Sequence, residues 1–296
     1  MADLKPNNTR TQRKRKDLTK GRPPTMKKPQ ASLSKRARQT LIRSHHQLSK
    51  MMRNAEQQGL DADAAELKQR IEQLGGLKSY QAASIQGQAS DHGGDSSLVL
   101  MEWLNDIKPA LASLESKVRL LEVGTLSVKN ACSKSGLFDI VRIDLNSQSD
   151  GILEQDFMKR PLPQSPPDCF GIISLSLVLN FVPGPKDRGD MLKRTCQFFD
   201  RRASSSKPVS LLDRFPALFL VLPAACILNS RYMNDERLTR MMASLGYVAL
   251  RRKVTDKLIY YLWILRDEPV EEEQDFKKTE IRSGHTRNNF SVVLAS

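Results

Sequence analysis

The sequence has few cysteines and no long apolar run, and these two absences exclude several classes of protein. Its 296 residues include four cysteines, which are scattered and form no C-x-x-C pair. This spacing argues against a metal site and against a disulfide framework. The longest apolar runs lie near residues 170–182 and 216–228, and both are too short to span a bilayer. We therefore expect a soluble intracellular protein that binds neither a metal nor a membrane.

Acidic residues are nearly absent from the N-terminal part of the chain. Residues 1–50 contain 15 Lys or Arg and two acids, a net charge of +13 within a total of +14. Such an arm is typical of proteins that bind nucleic acid, because each Lys or Arg displaces a condensed counterion. The alternatives are a nuclear import signal at residues 13–16 and a merely solvated tail. Residues 1–31, poor in apolar side chains, are predicted to be a disordered basic tail.

Residues 32–96 are predicted to form a helical arm followed by a linker. Apolar residues in its first half recur at spacings of three and four, which predicts one helix, and a second helix starts at Asp61. Arg36, Arg43 and Lys50 recur at a spacing of seven and form a basic stripe on the first helix. We expect these three side chains to contact a nucleic acid substrate.

Glycine is scarce at the one turn where a nucleotide-binding fold would need several. An apolar run ends at Glu122 and Gly124, and a second apolar run ends at Asp144, twenty residues after the glycine. Nucleotide-like ligands bind outside the carboxyl ends of parallel strands, where an acid can accept hydrogen bonds from two ribose hydroxyls. The NAD fingerprint requires further glycines near the pyrophosphate, and none follows here. A ligand without a pyrophosphate, such as S-adenosylmethionine (SAM), fits better.

Strands alternate with helices from residue 97 onward, which predicts a doubly wound α/β sheet. A hairpin predicted at the end adds an antiparallel strand, the topology of class I (Rossmann-like) SAM-dependent methyltransferases. We assign this SAM-binding domain to residues 97–268. Residues 269–296 begin with an acidic run and are predicted to form a flexible tail, within which residues 290–294 are apolar enough to dock locally. The predicted strands cover residues 118–123, 138–143, 151–153, 169–175, 218–222, 247–253 and 258–266.

Five residues are candidates for binding the cofactor. Gly124 would form a tight turn that lets the backbone reach the amino acid part of SAM, and Glu122 would bond this turn or, through water, the ligand ammonium. Asp144 would accept from the ribose, although a helix cap or a loop carboxylate is the alternative. Asp156 would accept from the adenine amino group and Phe157 would cover the base. Their alternative is a surface acid beside a core phenylalanine.

A turn after the fourth strand is the candidate site for the substrate. Adenine-N6 methyltransferases hold an Asn/Asp-Pro-Pro-aromatic turn at this place, and here residues 176–183 read S-L-V-L-N-F-V-P, without the double proline. Phe181 would stack on a base that has left its helix, and Asn180, the candidate catalytic residue, would bond the edge of that base. The alternative is that Phe181 packs in the core and Asn180 caps a turn.

Several blocks, together and in this order, resemble the fungal 25S ribosomal RNA adenine-N1 methyltransferases, which are related to a metazoan SAM-sensor protein. The blocks are L-E-V-G at 121–124, R-I-D-L-N at 142–146, Q-D-F-M at 155–158 and S-L-S-L-V-L-N-F-V-P at 174–183, and residues 77–88 also resemble the segment before the fold in that family. The resemblance implies SAM bound at Gly124 and Asp144 and methylation of N1 of one adenine in large-subunit rRNA. It also implies that the protein acts on pre-60S particles in the nucleus, within the nucleolus. A non-catalytic SAM-binding sensor or scaffold is the alternative.

Overall fold

The structure, a computed structural model, describes residues 34–76, 79, 94–147, 149–199, 214–266 and 275–295. The tail predicted for residues 1–31 lies outside the described residues, and so does nearly all of the segment 77–88. No helix within the described ranges is long and apolar enough to cross a membrane.

Two successive helices form the first described part of the chain. Helix α1 covers Lys35–Gln57 and α2 covers Asp61–Gln73, and the two pack against each other. Gly59 separates them with a φ of +70°, in the left-handed region that glycine adopts easily. Both helices were expected from the spacing of apolar residues, and each of their ends lies within three residues of its predicted position.

Seven strands within the described residues form one mixed sheet, which confirms the predicted fold. They are β1 (Val118–Val123), β2 (Phe138–Asp144), β3 (Leu153–Glu154), β4 (Ile172–Ser176), β5 (Ala217–Pro223), β6 (Tyr247–Val254) and β7 (Leu258–Leu265). Their order in the sheet is β3-β2-β1-β4-β5-β7-β6, and β7 pairs antiparallel with both neighbours. The chain therefore leaves β1 in one direction and returns to its other side at β4. Ligands bind such sheets at this topological switch point.

Within the residues that the structure describes from 94 onward, six α-helices connect or flank these strands. They are α3 (Ser97–Trp103), α4 (Lys108–Ala112), α5 (Ala131–Ser135), α6 (Pro185–Cys196), α7 (Ala225–Leu228) and α8 (Asp235–Ser244). The sequence predicts a short helix over roughly residues 126–134, whereas α5 starts only at Ala131. Asn130 caps its first turn and accepts a hydrogen bond from the backbone N–H of Ser133 at 2.9 Å.

The sheet is covered on both faces, as β5 shows most clearly. Leu218, Leu220 and Leu222 belong to one buried apolar cluster, and the intervening Phe219 and Val221 belong to a second. Successive side chains of a strand point to opposite faces, so both faces are packed. Polar groups that serve a ligand are therefore confined to the ends of the strands.

The end of the chain differs from the flexible tail predicted for residues 269–296. Within residues 275–295 four apolar side chains are buried in the same cluster as the strands, namely Phe276, Phe290, Val292 and Leu294. Phe276 also donates its backbone N–H to the carbonyl of Leu294 at 2.8 Å. The alternation of apolar residues at 290, 292 and 294 gives this segment one buried face, which outweighs its polar average composition. The local docking expected for residues 290–294 is confirmed.

Candidate functional site

Gly124 forms the turn at the carboxyl end of β1. Its φ is +70°, and its backbone N–H donates to the carbonyl of Ile143 in β2 at 2.8 Å. A Cβ atom built on Gly124 would lie 2.6 Å from Cγ2 of Val178, which follows β4. Both the left-handed backbone and this close contact require glycine. The turn therefore presents bare backbone at the switch point and touches the loop after β4.

Asp144 ends β2 beside this turn. Val123 of β1 pairs with Ile143 on one side and with Leu175 of β4 on the other, so the three strands end at one edge. Asp144 is partly buried, and its Oδ1 accepts the backbone N–H of Asn146 at 2.9 Å. A carboxylate has about four acceptor sites, so it can organise its own loop and also accept from a ribose. The geometry of Asp144 is thus compatible both with a bond to the ribose and with the alternative, a carboxylate that organises its own loop.

Glu122 lies in β1 with 5% of its surface exposed. Its Oε1 accepts from Nδ2 of Asn130 at 2.7 Å, and its Oε2 lies 3.4 Å from Nε of Arg142, an ion pair without hydrogen-bond geometry. Burial raises the pKa of Glu122, although the hydrogen bond from Asn130 and the charge of Arg142 act in the opposite direction. Glu122 therefore braces the start of α5 through Asn130, and its predicted bond to the Gly124 turn or to a ligand ammonium stays a prediction.

The sequence reasoning missed the partners of Glu122. Asn130 also accepts from the hydroxyl of Ser133 at 2.7 Å, and that hydroxyl accepts from Nη2 of Arg142 at 2.7 Å. An Asn followed three residues later by Ser at a helix start is a capping signal that could have identified Asn130. Arg142 gives no such signal, because only the parallel pairing of Glu122 with Arg142 brings the two together.

Residues before α3 also border the site and were assigned to the linker. Asp95 accepts the backbone N–H of Ala131, the first residue of α5, at 2.5 Å. The hydroxyls of Ser96 and Ser176, the last residue of β4, lie 2.7 Å apart. This short segment therefore joins the start of α5 to the end of β4. The available signal was again a cap, because Asp95 accepts from both the backbone and the hydroxyl of Ser97.

Asp156 and Phe157 begin a short 3-10 turn, Phe157–Lys159. Asp156 caps the turn by accepting the backbone N–H of Met158 at 2.8 Å. Phe157 is 3% exposed as a whole residue, and the centroid of its ring lies 5.3 Å from that of Phe198. A ring buried to this extent has no open face for a base. The structure thus contradicts the base-covering role predicted for Phe157 and favours the alternative, a core phenylalanine beside an acid.

The loop after β4 combines backbone strain with a buried acceptor. Leu177 has a φ of +58°, in a region that non-glycine residues rarely adopt. Asn180 Oδ1 is buried and has no hydrogen-bond partner among the residues that the structure describes. Strained backbone clusters at functional sites, and a buried polar atom without a partner requires an explanation. Because no donor reaches Oδ1, this atom does not act as a turn cap, and a ligand amino group would satisfy it.

Of the remaining predicted residues, Phe181 follows Asn180 in the same loop, whereas Arg36, Arg43 and Lys50 lie in α1. Phe181 is partly buried and donates its backbone N–H to the carbonyl of Val178 at 2.8 Å. Arg36 and Arg43 lie in α1 and are exposed, whereas the side chain of Lys50 lies outside the described residues. No group of three or more His, Cys, Asp or Glu in the described part of the chain is arranged to hold a metal ion.

One solved structure with a similar chain path is that of magnesium protoporphyrin IX methyltransferase from Synechocystis PCC 6803 with bound SAM. It is 10% identical, with a TM-score of 0.38 over 58% of this chain and 82% of that chain.

Two curated relatives are similar in sequence. The 25S rRNA (adenine(2142)-N(1))-methyltransferase of Saccharomyces cerevisiae is 38% identical over 225 residues, which cover 76% of this chain and 61% of the relative. The 25S rRNA adenine-N(1) methyltransferase of Schizosaccharomyces pombe is 38% identical over 260 residues, 85% of this chain and 89% of the relative. The chain thus spans about three fifths of the length of the first relative.

A family model matches residues 65–292, a range that contains every strand of the sheet and the loops at its carboxyl edge. The chain therefore belongs to the family described as 25S rRNA (adenine(2142)-N(1))-methyltransferase, Bmt2.

Proposed function

We propose that this protein is an enzyme that transfers the methyl group of SAM to N1 of an adenine in 25S rRNA. The observation that carries the proposal is the family match over residues 65–292. Both curated relatives are named for this reaction. The match includes the two strand ends that carry Gly124 and Asp144 and the loop that carries Asn180.

The residues at the carboxyl edge fit SAM. The bare backbone of the Gly124 turn, where a Cβ would overlap Val178, suits close approach by the amino acid part of a ligand. Asp144, partly buried at the end of β2, would accept from the ribose hydroxyls. Asp156, which caps its turn at the end of β3, would accept from the adenine amino group. When bound, SAM supplies a methyl group on a positively charged sulfur.

Adenine N1 carries a free lone pair, so the enzyme needs no strong base to activate it. Orientation of two reactants alone can contribute roughly 7–11 kcal/mol to the lowering of a barrier. Asn180 Oδ1, which has no partner among the described residues, would accept from the exocyclic amino group beside N1. Phe181 would stack on the base, which must leave its helix to reach the methyl group. This chemistry therefore requires no catalytic dyad.

The substrate would be bound as part of a pre-60S particle, in the nucleolus. The net charge of +13 over residues 1–50 supports an RNA partner, because it provides many phosphate contacts. Arg36 and Arg43, exposed on α1, would add to these contacts. A sensor that only binds SAM has no need for such a charge.

The test is transfer of labelled methyl from SAM to pre-ribosomal RNA, followed by identification of the modified nucleoside. We expect N1-methyladenosine with the wild type and none with Gly124→Arg, whose side chain would fill the cofactor turn. Primer extension across rRNA from a strain that lacks the protein should lose the corresponding stop.

A second variant isolates the step after cofactor binding. Asn180→Ala should lower transfer and leave SAM affinity unchanged, because in this proposal Asn180 would contact the base and not the cofactor. SAM binding by the wild type without transfer to any RNA would contradict the proposed enzyme and favour a sensor.

A further inference from the structure

Arg188, in α6, bonds the loop that carries Asn180. Its Nε donates to the carbonyl of Val182 at 2.8 Å and its Nη2 donates to that of Pro183 at 3.2 Å. These two carbonyls follow Phe181 directly in the chain. The planar guanidinium presents several donors in a fixed fork, so it can hold two successive carbonyls in one orientation.

The same guanidinium is held from its other side by the end of the chain. Nη1 of Arg188 donates to the carbonyl of Ser291 at 2.7 Å, and its Cζ lies 4.7 Å from the centroid of the Phe290 ring. Burial lowers the pKa of Arg188 to about 10, so the group remains charged at neutral pH. Hydrogen bonds from a charged donor are stronger than neutral ones. Arg188 is thus a bridge between the loop after β4 and residues 290–295, which we call the C-terminal clasp.

The C-terminal clasp follows α6 closely. Val293 donates its backbone N–H to the carbonyl of Pro185 at 2.9 Å, and Nζ of Lys193 donates to the carbonyl of Ala295. A Cβ atom on Gly189, inside α6, would lie 1.9 Å from the carbonyl oxygen of Val293. Glycine is unfavourable in a helix interior. Here it is required by the approach of the clasp, so α6 is adapted to receive the clasp one residue after Arg188.

We propose that Arg188 is a positioning residue and that the C-terminal clasp orients it, so that Asn180 and Phe181 are held where an adenine must dock. The inference rests on the proposed function. Arg188 donates to the carbonyls of Val182, Pro183 and Ser291, and these hydrogen bonds involve neither Gly124 nor Asp144. Loss of Arg188 should therefore impair binding of the base and leave binding of the cofactor unchanged. A residue that only stabilised the fold would affect both.

Two substitutions test the bridge. Arg188→Met removes the three hydrogen bonds and keeps much of the side-chain volume, while Gly189→Ala leaves Arg188 in place and displaces the clasp. A displacement of about 1 Å in a site can cost about 100-fold, so we expect each variant to lower kcat/KM for RNA by about 10- to 100-fold. Calorimetry should show unchanged SAM affinity. Arg188→Lys keeps the charge but lacks the fork and should recover part of the activity.

Arg282, in the C-terminal part of the chain, provides a matched control for Arg188. Arg282 also donates to backbone carbonyls, but its hydrogen bonds go to residues 227–233, including Leu228 and Ser230, and not to residues 177–183. Arg282→Met should lower the melting temperature and reduce transfer far less than Arg188→Met. An equal reduction of transfer at an equal loss of melting temperature would overturn the positioning role.

Hydrogen exchange of residues 178–183 gives a readout that does not depend on activity. Exchange of the Phe181 amide, which is bonded to the carbonyl of Val178 at 2.8 Å, should be faster in Arg188→Met and in Arg188→Lys than in the wild type. Unchanged exchange in both variants would refute the inference. Failure of the wild type to methylate any RNA would instead refute the proposed function, so the two failures are distinguishable.

Discussion

The contact between Gly124 and Val178 can be tested by a double-mutant cycle. Gly124→Ala places a side chain at a φ of +70°, which costs about 1–2 kcal/mol for a residue other than glycine. The new Cβ would also lie 2.6 Å from Cγ2 of Val178, about 1 Å inside ordinary van der Waals contact. Overpacking of this kind typically costs about 1–3 kcal/mol. We therefore expect Gly124→Ala to lower the free energy of unfolding by about 2–5 kcal/mol.

The partner substitution separates the two contributions. Val178→Ala removes Cγ2 and, because Val178 is partly buried, should itself cost no more than about 1.6 kcal/mol for two methyl groups. In the double variant the overlap is absent and the backbone strain remains. The double variant should therefore lose less stability than the sum of the single variants, with an interaction energy of about 0.5–3 kcal/mol.

Urea unfolding of the four proteins measures this interaction energy, and calorimetry measures their affinity for SAM. We expect Gly124→Ala to weaken SAM binding, because relief of the overlap shifts the turn that approaches the ligand, and Val178→Ala to restore part of the affinity. Losses of stability that add within about 0.3–0.5 kcal/mol would show that the two residues do not interact, and the reasoning would be wrong.

Three further predictions concern single groups. Asp144→Ala should weaken SAM by roughly 10- to 100-fold in calorimetry and leave the circular dichroism of the fold intact, and an unchanged affinity would remove Asp144 from the site. Because burial raises the pKa of Glu122 above its ordinary value of 4.5, the folded state holds this proton more tightly than the unfolded state. The free energy of unfolding should thus fall as pH rises from 4.5 through the raised pKa. In urea titrations, Glu122→Gln should lose this part of the pH dependence. If the variant keeps the same dependence of unfolding free energy on pH, Glu122 is not its source. Deletion of residues 1–30 should weaken RNA binding and flatten the plot of log affinity against log salt, whereas an unaltered slope would argue against an RNA-binding arm.

The sheet was predictable because its signals are local. Strand β1 was expected at residues 118–123 and occupies that range, since an apolar run ends at a glycine. The sequence predicted a helix over residues 190–201, whereas α6 covers Pro185–Cys196, because a proline is compatible with the first turn of a helix. Strand β4 was expected from Cys169 but starts at Ile172, and Phe170 forms only an isolated bridge with Phe199.

The candidate site was predictable only where the topology determines it. Parallel strands end at one edge, so Gly124 and Asp144 had to lie close to each other and to the loop after β4. Side-chain networks across different elements leave no local signal, and Arg142 was missed for this reason, because only strand pairing brings it to Glu122. The role predicted for Phe157 was wrong because the sequence does not reveal whether an aromatic ring is covered by other side chains. Its contact with Phe198 depends on residues 41 positions apart.

The loop after β4 lies where the cofactor and the base must be oriented relative to each other. Near its start, Val178 contacts the turn of Gly124, and near its end, the carbonyl of Val182 accepts from Arg188. Asn180 lies between these two attachments. Methyl transfer to a neutral nitrogen requires orientation more than it requires acid–base chemistry. A loop fixed at both ends to different elements meets that requirement, because neither the cofactor turn nor the C-terminal clasp alone determines where the acceptor of Asn180 lies.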